Sequence, residues 1–439
     1  MTTSDTHSQP WLHHYPEGID WSTPLTRRSL NEYIDDAEIR FADRPAIDFL
    51  GRKTTYAQLA AQIRQAAKGF QDMGVTKGSR VGLCLPNTPY SVICYFGALR
   101  AGATVVNYNP LYVERELAFQ ISDSETEIMV TMDLKLLYPK VAAMLSQTES
   151  LQQIVVCRMS PILPPLKGLL FGVVKRKEIA AVTDGETTVR FEDLINNDGQ
   201  PESVEIDIEQ DIAVLQYTGG TTGRSKGAML THHNLVANML QAKAMMGSTI
   251  KDGEETIICP LPLYHIYAFT FHCMAMMISG NHNILITNPR DIPAFVKELS
   301  KVPFSGFVGL NTLFVALCND EAFRNLDFSH FKVTLSGGMA LQQATAERWK
   351  KVTGCDVCEG YGMTETSPLA TVNPIANIQL GTIGIPVPST LCKIIDEEGQ
   401  EVALGERGEL CVKGPQVMKG YWQRQEATDE MLDAEGWLK

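Results

Sequence analysis

Three consecutive pieces of sequence decide the fold class: Arg80-Val-Gly-Leu-Cys-Leu85, Pro89-Tyr-Ser-Val-Ile-Cys-Tyr-Phe-Gly-Ala-Leu-Arg100 and Thr104-Val-Val-Asn107. The first reads as a buried strand, the second as a helix and the third as the next strand. A strand–helix–strand unit of that length favours a parallel sheet with a right-handed crossover.

Working outward, Ile128–Thr131 continues the alternation, and the pattern holds from about Leu30 to Ile206. From Asp211 to about Leu369 it repeats. Ile212-Ala-Val-Leu215 is a continuous apolar run, as expected for a strand covered on both faces. Thr231 reads as a helix N-cap, with Leu235, Met239, Ala242 and Met246 on one face behind it. Phe331–Ser336 reads as a strand that Gly337-Gly338 turns into a helix with Leu341, Ala344 and Trp349 at its core positions. Val357 then opens the following strand. After about Gly381 the pattern changes: Leu391–Ile395, the turn Asp396-Glu-Glu-Gly399 and Glu409–Lys413 read as an antiparallel hairpin. The expected class is α/β, with two doubly wound, mainly parallel sheet subdomains (30–206 and 207–380) and a small antiparallel β subdomain (381–439).

Composition narrows the function. The 439 residues carry 38 Lys+Arg against 51 Asp+Glu, a net charge of −13, with 44% hydrophobic and 20% charged residues. A chain so built has a large core, which excludes a disordered or fibrous protein. Nucleic acid is disfavoured as a partner, because its binding needs a basic face. An anionic substrate must therefore be met locally. The ten cysteines are scattered, mostly in apolar runs, as suits buried free thiols of a reducing compartment.

Met1-Thr-Thr-Ser-Asp-Thr-His7 lacks the basic start and apolar core of a signal peptide, and no window of ~20 apolar residues exists. The expected location is the cytoplasm. Ile162–Val174, followed by Lys175-Arg176-Lys177, leaves two readings open. One is an ordinary surface loop or hairpin; the other is a basic-apolar element resting on the inner face of a membrane.

The chemistry centres on Tyr217-Thr-Gly-Gly-Thr-Thr-Gly-Arg-Ser-Lys-Gly227, which follows a strand. Glycines let successive N–H groups point into one concavity, hydroxyls add donors, and Lys226 adds a mobile cation. These features suit a polyphosphate cradle, with a solvated turn as the plain alternative. A Walker A loop is excluded, because no Gly-Lys-Ser/Thr opens a helix.

Tyr217–Met229 closely resembles the signature loop of the AMP-forming acyl-CoA synthetases, within the adenylate-forming superfamily. Leu261-Pro-Leu-Tyr-His-Ile-Tyr267, Glu359-Gly-Tyr-Gly-Met-Thr-Glu365 and Gly408-Glu-Leu-Cys-Val-Lys-Gly-Pro415 resemble three further motifs in the family's order. Trp11–Pro16, Ile286–Pro293 and Gln416–Arg424 resemble bacterial long-chain fatty-acid–CoA ligases in particular. The resemblance implies activation of a fatty acid by ATP to acyl-AMP and pyrophosphate, then transfer to coenzyme A. It assigns Thr218, Gly219, Gly220, Thr221, Thr222, Gly223 and Lys226 to the β- and γ-phosphates, and Thr218 and Glu365 to Mg²⁺. Thr364 would meet the α-phosphate. Gly338, Met339, Ala340, Glu359, Gly360, Tyr361 and Gly362 would border the nucleotide, with Tyr361 packed on adenine. Gly337, Gly338 and His265 would border the acyl group, His265 as a gate rather than a proton carrier. Thr218, Lys226 and Glu365 are the expected catalytic residues.

Taken alone, several of these residues have plainer readings. His265 is a core histidine, Tyr361 a packed turn residue, and the apolar runs Tyr267–Ile278 and Phe304–Leu317 ordinary core helices rather than tunnel walls. Cys355-Asp-Val-Cys358 is expected to be structural, and His232-His233 to lie at the surface. The family continues past a point equivalent to Glu435-Gly-Trp-Leu-Lys439 into a Thr-Gly-Asp segment, a hinge and a lid domain. By resemblance the chain is therefore the large N-terminal domain, with catalysis impaired and the lid absent. Two alternatives stay open: an acyl-AMP ligase loading a carrier protein, and a binding-only module. A homo-oligomer is allowed by the sequence.

Overall fold

The computed structural model describes residues 9–183, 185–219 and 224–439. The opening unit folds as read: strand Arg80–Leu83, helix Pro89–Arg100 and strand Thr104–Asn107, with the two strands parallel in register Val81↔Val105. Eleven of the twelve residues of that helix are buried. It therefore lies between layers, which explains why its sequence is apolar all round.

Among the described residues two large sheets organise the chain. The eight-stranded sheet runs in the order Gly420–Tyr421, Lys226–Thr231, Ile212–Thr218, Thr104–Asn107, Arg80–Leu83, Ile128–Met132, Gln153–Cys157 and Thr188–Arg190. It is parallel from Ile212–Thr218 onward and antiparallel at the other edge. The nine-stranded sheet runs Ile385–Pro386, Leu369–Val372, Val357–Gly362, Val333–Ser336, Gly306–Gly309, Thr256–Cys259, His282–Leu285, Pro45–Phe49 and Arg52–Thr55. Leu391–Ile395 and Glu409–Lys413 form the separate antiparallel pair expected near the end.

The sheets do not divide at residue 206. Pro45–Phe49 crosses to pair in parallel with His282–Leu285, and Ile212–Thr218 pairs with Thr104–Asn107. Each half thus donates strands to the other's sheet, a non-local exchange to which local periodicity is blind. A strap before residue 30 ties the ends together: the Tyr15 hydroxyl donates to Pro386 O (2.8 Å) and Trp21 Nε1 to Thr390 O (2.9 Å).

Thr231 caps the helix His232–Met246 through a reciprocal pair with Asn234. Because that cap turns the helix into the interior, His232 is buried rather than at the surface, and burial lowers its pKa to about 4. The helix Gln343–Thr353 begins later than expected. It buries Ala346 and Trp349 and exposes Ala344, since Trp349 Nε1 is drawn to the Thr334 hydroxyl (2.8 Å). The stretch Pro165–Val174, for which a loop or hairpin was one reading, is an α-helix. All ten cysteines are free thiols and nine are buried; the Cys358 thiol donates to Asn373 O (3.0 Å). Among the described residues no helix is long and apolar enough to cross a membrane.

Candidate active site

The strands Val333–Ser336 and Val357–Gly362 lie side by side, with Ser336 opposite Glu359, and both end at one cavity. Carboxyl ends of parallel strands are where α/β sheets present loops to ligands. The space, open mouth included, is about 840 Å³. Gly337, Gly338, Gly360, Tyr361, Gly362 and Thr364 line one side. His265, Tyr267, Thr270 and Phe271 come from the segment following the Thr256–Cys259 strand, and Asn238, Ala242, Met245 and Met246 from the helix His232–Met246. Gly338 and His265 are exposed, whereas Met245, Phe271 and Val372 are buried. The cavity wall therefore combines glycine-rich backbone, exposed at Gly338, with buried apolar side chains.

Local chemistry fixes these walls. Gly338 adopts φ +79°, a conformation that a side chain disfavours. At Gly362 a Cβ would stand 1.8 Å from the carbonyl oxygen of Pro368, so only glycine lets the strand pass that backbone. The Glu359 carboxylate accepts from Leu341 N (3.0 Å), tying the turn after Gly338 to the neighbouring strand. Asn87 holds the Leu261–Tyr267 motif from outside, donating to Leu261 O (2.8 Å) and accepting from Leu263 N (2.8 Å). Gln216 adds a bond from its side-chain amide to Tyr264 O (3.0 Å).

The His265 ring is open to the mouth but crowded by protein elsewhere, so desolvation lowers its pKa and favours the neutral imidazole. Its Nδ1 accepts from Tyr267 N (3.4 Å).

A second cluster adjoins the cavity. Thr218 and Lys226 face each other across the hairpin whose connection is the glycine-rich loop. Of that loop's expected phosphate ligands, Gly220, Thr221, Thr222 and Gly223 lie outside the described residues. The Lys226 ammonium sits 4.6 Å from the centre of the Tyr421 ring, within cation–π range. The Tyr421 hydroxyl donates to Glu365 Oε1 (2.5 Å), and Met418 N donates to Glu365 O (2.8 Å). Burial, reinforced by the Glu365 carboxylate, raises the Tyr421 pKa and keeps its hydroxyl a donor. Thr364, one residue before Glu365, lines the cavity.

The structure thus brings Gly337, Gly338, Tyr361, Gly362, Thr364 and His265 to one cavity, and Lys226 and Glu365 to one cluster beside it. Met339 and Ala340 are exposed past the Gly338 turn, outside the lining. Tyr421 was not among the expected site residues. Its only signal was membership of Gln416–Arg424, and its place follows from Tyr421 pairing with Ala228 at the sheet edge.

Glu365 and Thr218 supply one carboxylate and one hydroxyl. That set suits Mg²⁺, which binds through one or two carboxylates together with substrate phosphates. Among the described residues no group of three or more acidic, histidine or cysteine side chains could hold a metal alone, so any such ion would depend on the nucleotide for further ligands.

Comparison with known proteins identifies the family. The family of AMP-binding enzymes matches residues 35–422. The chain is 43% identical to the long-chain-fatty-acid–CoA ligase of Salmonella typhimurium over 435 residues, covering 98% of this chain and 77% of that protein. The ligase of the same name from Escherichia coli O157:H7 is 42% identical over the same span, 98% of this chain and 77% of that one. The crystal structure of a long-chain-fatty-acid–CoA ligase from Archaeoglobus fulgidus superposes with a TM-score of 0.81 at 25% identity, covering 97% of this chain and 82% of that chain. The matched span and the identity to these relatives show that the chain belongs to the AMP-binding family of acyl-CoA ligases.

Proposed function

We propose that this chain activates a long-chain fatty acid with ATP, forming acyl-AMP and pyrophosphate, as the first half of a fatty-acid–CoA ligase reaction. One observation carries the reading: the consecutive residues Thr364 and Glu365 face two different compartments. Thr364 lines the cavity walled by buried apolar side chains, and Glu365 joins the Lys226–Tyr421 cluster. An acyl carboxylate held at Gly338 would then meet a nucleotide held by the hairpin at this one turn.

In the first step a carboxylate oxygen attacks the α-phosphorus, the bond to pyrophosphate breaks, and its electron pair leaves with pyrophosphate. Two anions must approach, so fixed donors and cations must offset the charge building on phosphorus. Lys226 supplies the cation. Glu365 and Thr218 would hold Mg²⁺, which screens phosphate charge when bound with the nucleotide. Tyr361 offers its ring to adenine, and the neutral His265 ring closes on the carboxylate without titrating it. In the second step the sulfur of coenzyme A attacks the acyl carbon and expels AMP.

Acyl-dependent pyrophosphate–ATP exchange across saturated acids of increasing length tests the substrate class. Each methylene buried against the apolar wall should raise kcat/KM about fourfold, from ~0.8 kcal/mol per group, until the cavity is full. Equal rates with acetate, benzoate and palmitate would overturn the assignment.

A further inference from the structure

The helix Pro165–Val174 is turned inside out. Leu166, Leu169, Leu170, Val173 and Val174 recur at i, i+3, i+4, i+7 and i+8, the spacing of a core-facing stripe. Yet these side chains are 70%, 70%, 51%, 72% and 71% exposed. The opposite face is the one that packs. Gly168 is buried so close to Ser160 O that a Cβ would stand 2.5 Å from it, and Phe171 packs against the main core. The helix is thus anchored through its small face and presents its apolar face to solvent. The turn Lys135-Leu136 lies beside the end of the helix, with Lys135 N donating to Glu178 O (2.8 Å), and Leu136 is 68% exposed.

Cations flank this stripe. Lys167 lies within the helix, Lys175, Arg176 and Lys177 directly follow it and Lys135 is in the neighbouring turn; Lys167 Nζ donates to Leu50 O (2.6 Å), and Glu178 pairs with Lys175 (2.6 Å). Among the described residues Arg176 and Lys177 have no carboxylate within ion-pair distance. On a chain of net charge −13 this concentration of positive charge is local. An outward apolar stripe beside unpaired cations complements the acyl boundary and the headgroups of an anionic bilayer. A second copy of the chain is a poorer match, because two such faces brought together would oppose like charges.

We infer that the helix 165–174, with Leu136, docks this protein on an anionic lipid surface. The stripe enters the interface and the Lys175–Lys177 run rests on the headgroups. Nothing in this reading depends on the chemistry assigned to the cavity.

The test is co-sedimentation of the intact chain with vesicles of phosphatidylcholine containing about a third phosphatidylglycerol. The expected result is binding that weakens with salt and is much weaker on pure phosphatidylcholine. L169D/V173D should lower the partition coefficient at least ~30-fold, and R176Q/K177Q by roughly 10-fold on anionic vesicles only. All four residues are surface-exposed, so both variants should keep the parent's melting temperature. Binding that is absent, indifferent to lipid charge or unchanged in L169D/V173D would overturn the inference. A vesicle-free dimer in sedimentation velocity that L169D/V173D abolishes would assign the face to a second copy, and would overturn it equally.

Discussion

Replacing Tyr421 by phenylalanine removes one hydroxyl and leaves everything else about the residue in place. That hydroxyl donates to Glu365 Oε1 at 2.5 Å, and both side chains are buried. A hydrogen bond to a charged group contributes about 1.5–3 kcal/mol, and a buried carboxylate stripped of its donor keeps that desolvation cost. The ring remains under Lys226, 4.6 Å from the ammonium, so the change isolates the positioning of Glu365. If the full bond is expressed in the transition state, adenylation slows roughly 10- to 150-fold. The assay is palmitate-dependent pyrophosphate exchange at a series of Mg²⁺ concentrations. Y421F should raise the Mg²⁺ concentration for half-maximal rate and lower kcat, with the KM for palmitate unchanged. Y421L, which also removes the ring, should cost a further few-fold through Lys226. A folded Y421F protein with the parent's rate and Mg²⁺ dependence would refute the reasoning.

Other perturbations probe other parts of the structure. Met245 is a buried part of the cavity wall. M245W should exclude about four methylenes and lower kcat/KM for palmitate by ~3 kcal/mol, roughly 200-fold, while sparing octanoate; a chain-length series checks this. G362A sets a methyl against the Pro368 carbonyl and should destabilise the fold by ~3 kcal/mol or more in denaturant titration. Burial lowers the pKa of His232 to about 4, His272 to about 3 and His282 to about 4. Unfolding raises each towards ~6.5, so the unfolded chain binds more protons on acidification. Stability should be level above about pH 7 and fall from there towards pH 4, by about 2 kcal/mol per histidine at pH 5. H272N should flatten part of that slope in pH-dependent denaturant melts.

The sequence carried local structure well, because its signals were local. Ile212–Leu215 is apolar without alternation since Ile212–Thr218 is interior to its sheet, and Thr231 announces its helix because capping is a short-range bond. Sheet membership was not legible. Pro45–Phe49 finds its partner at His282–Leu285, more than two hundred residues away, and neither run names the other. At the cavity, Gly362 and Thr364 stood out by their motif, but Glu359 gained its observed contact to Leu341 N only through the folded turn. Tyr421 was hidden for the same reason: a tyrosine between Gly420 and Trp422 looks like packing until the strand Gly420–Tyr421 pairs beside Lys226. The helix Pro165–Val174 shows the converse. Its periodicity reads as core-facing, and only the structure reveals that the stripe points outward.

The most direct test of the cavity-and-hairpin arrangement is a single-turnover reaction of this chain with ATP, Mg²⁺ and isotopically labelled palmitate, quenched and examined by mass spectrometry. Palmitoyl-AMP and pyrophosphate should appear in equal amounts, and K226A or E365Q should suppress both together. Pyrophosphate release that ignores palmitate, or palmitoyl-AMP formed as fast by K226A and E365Q as by the parent, would contradict it.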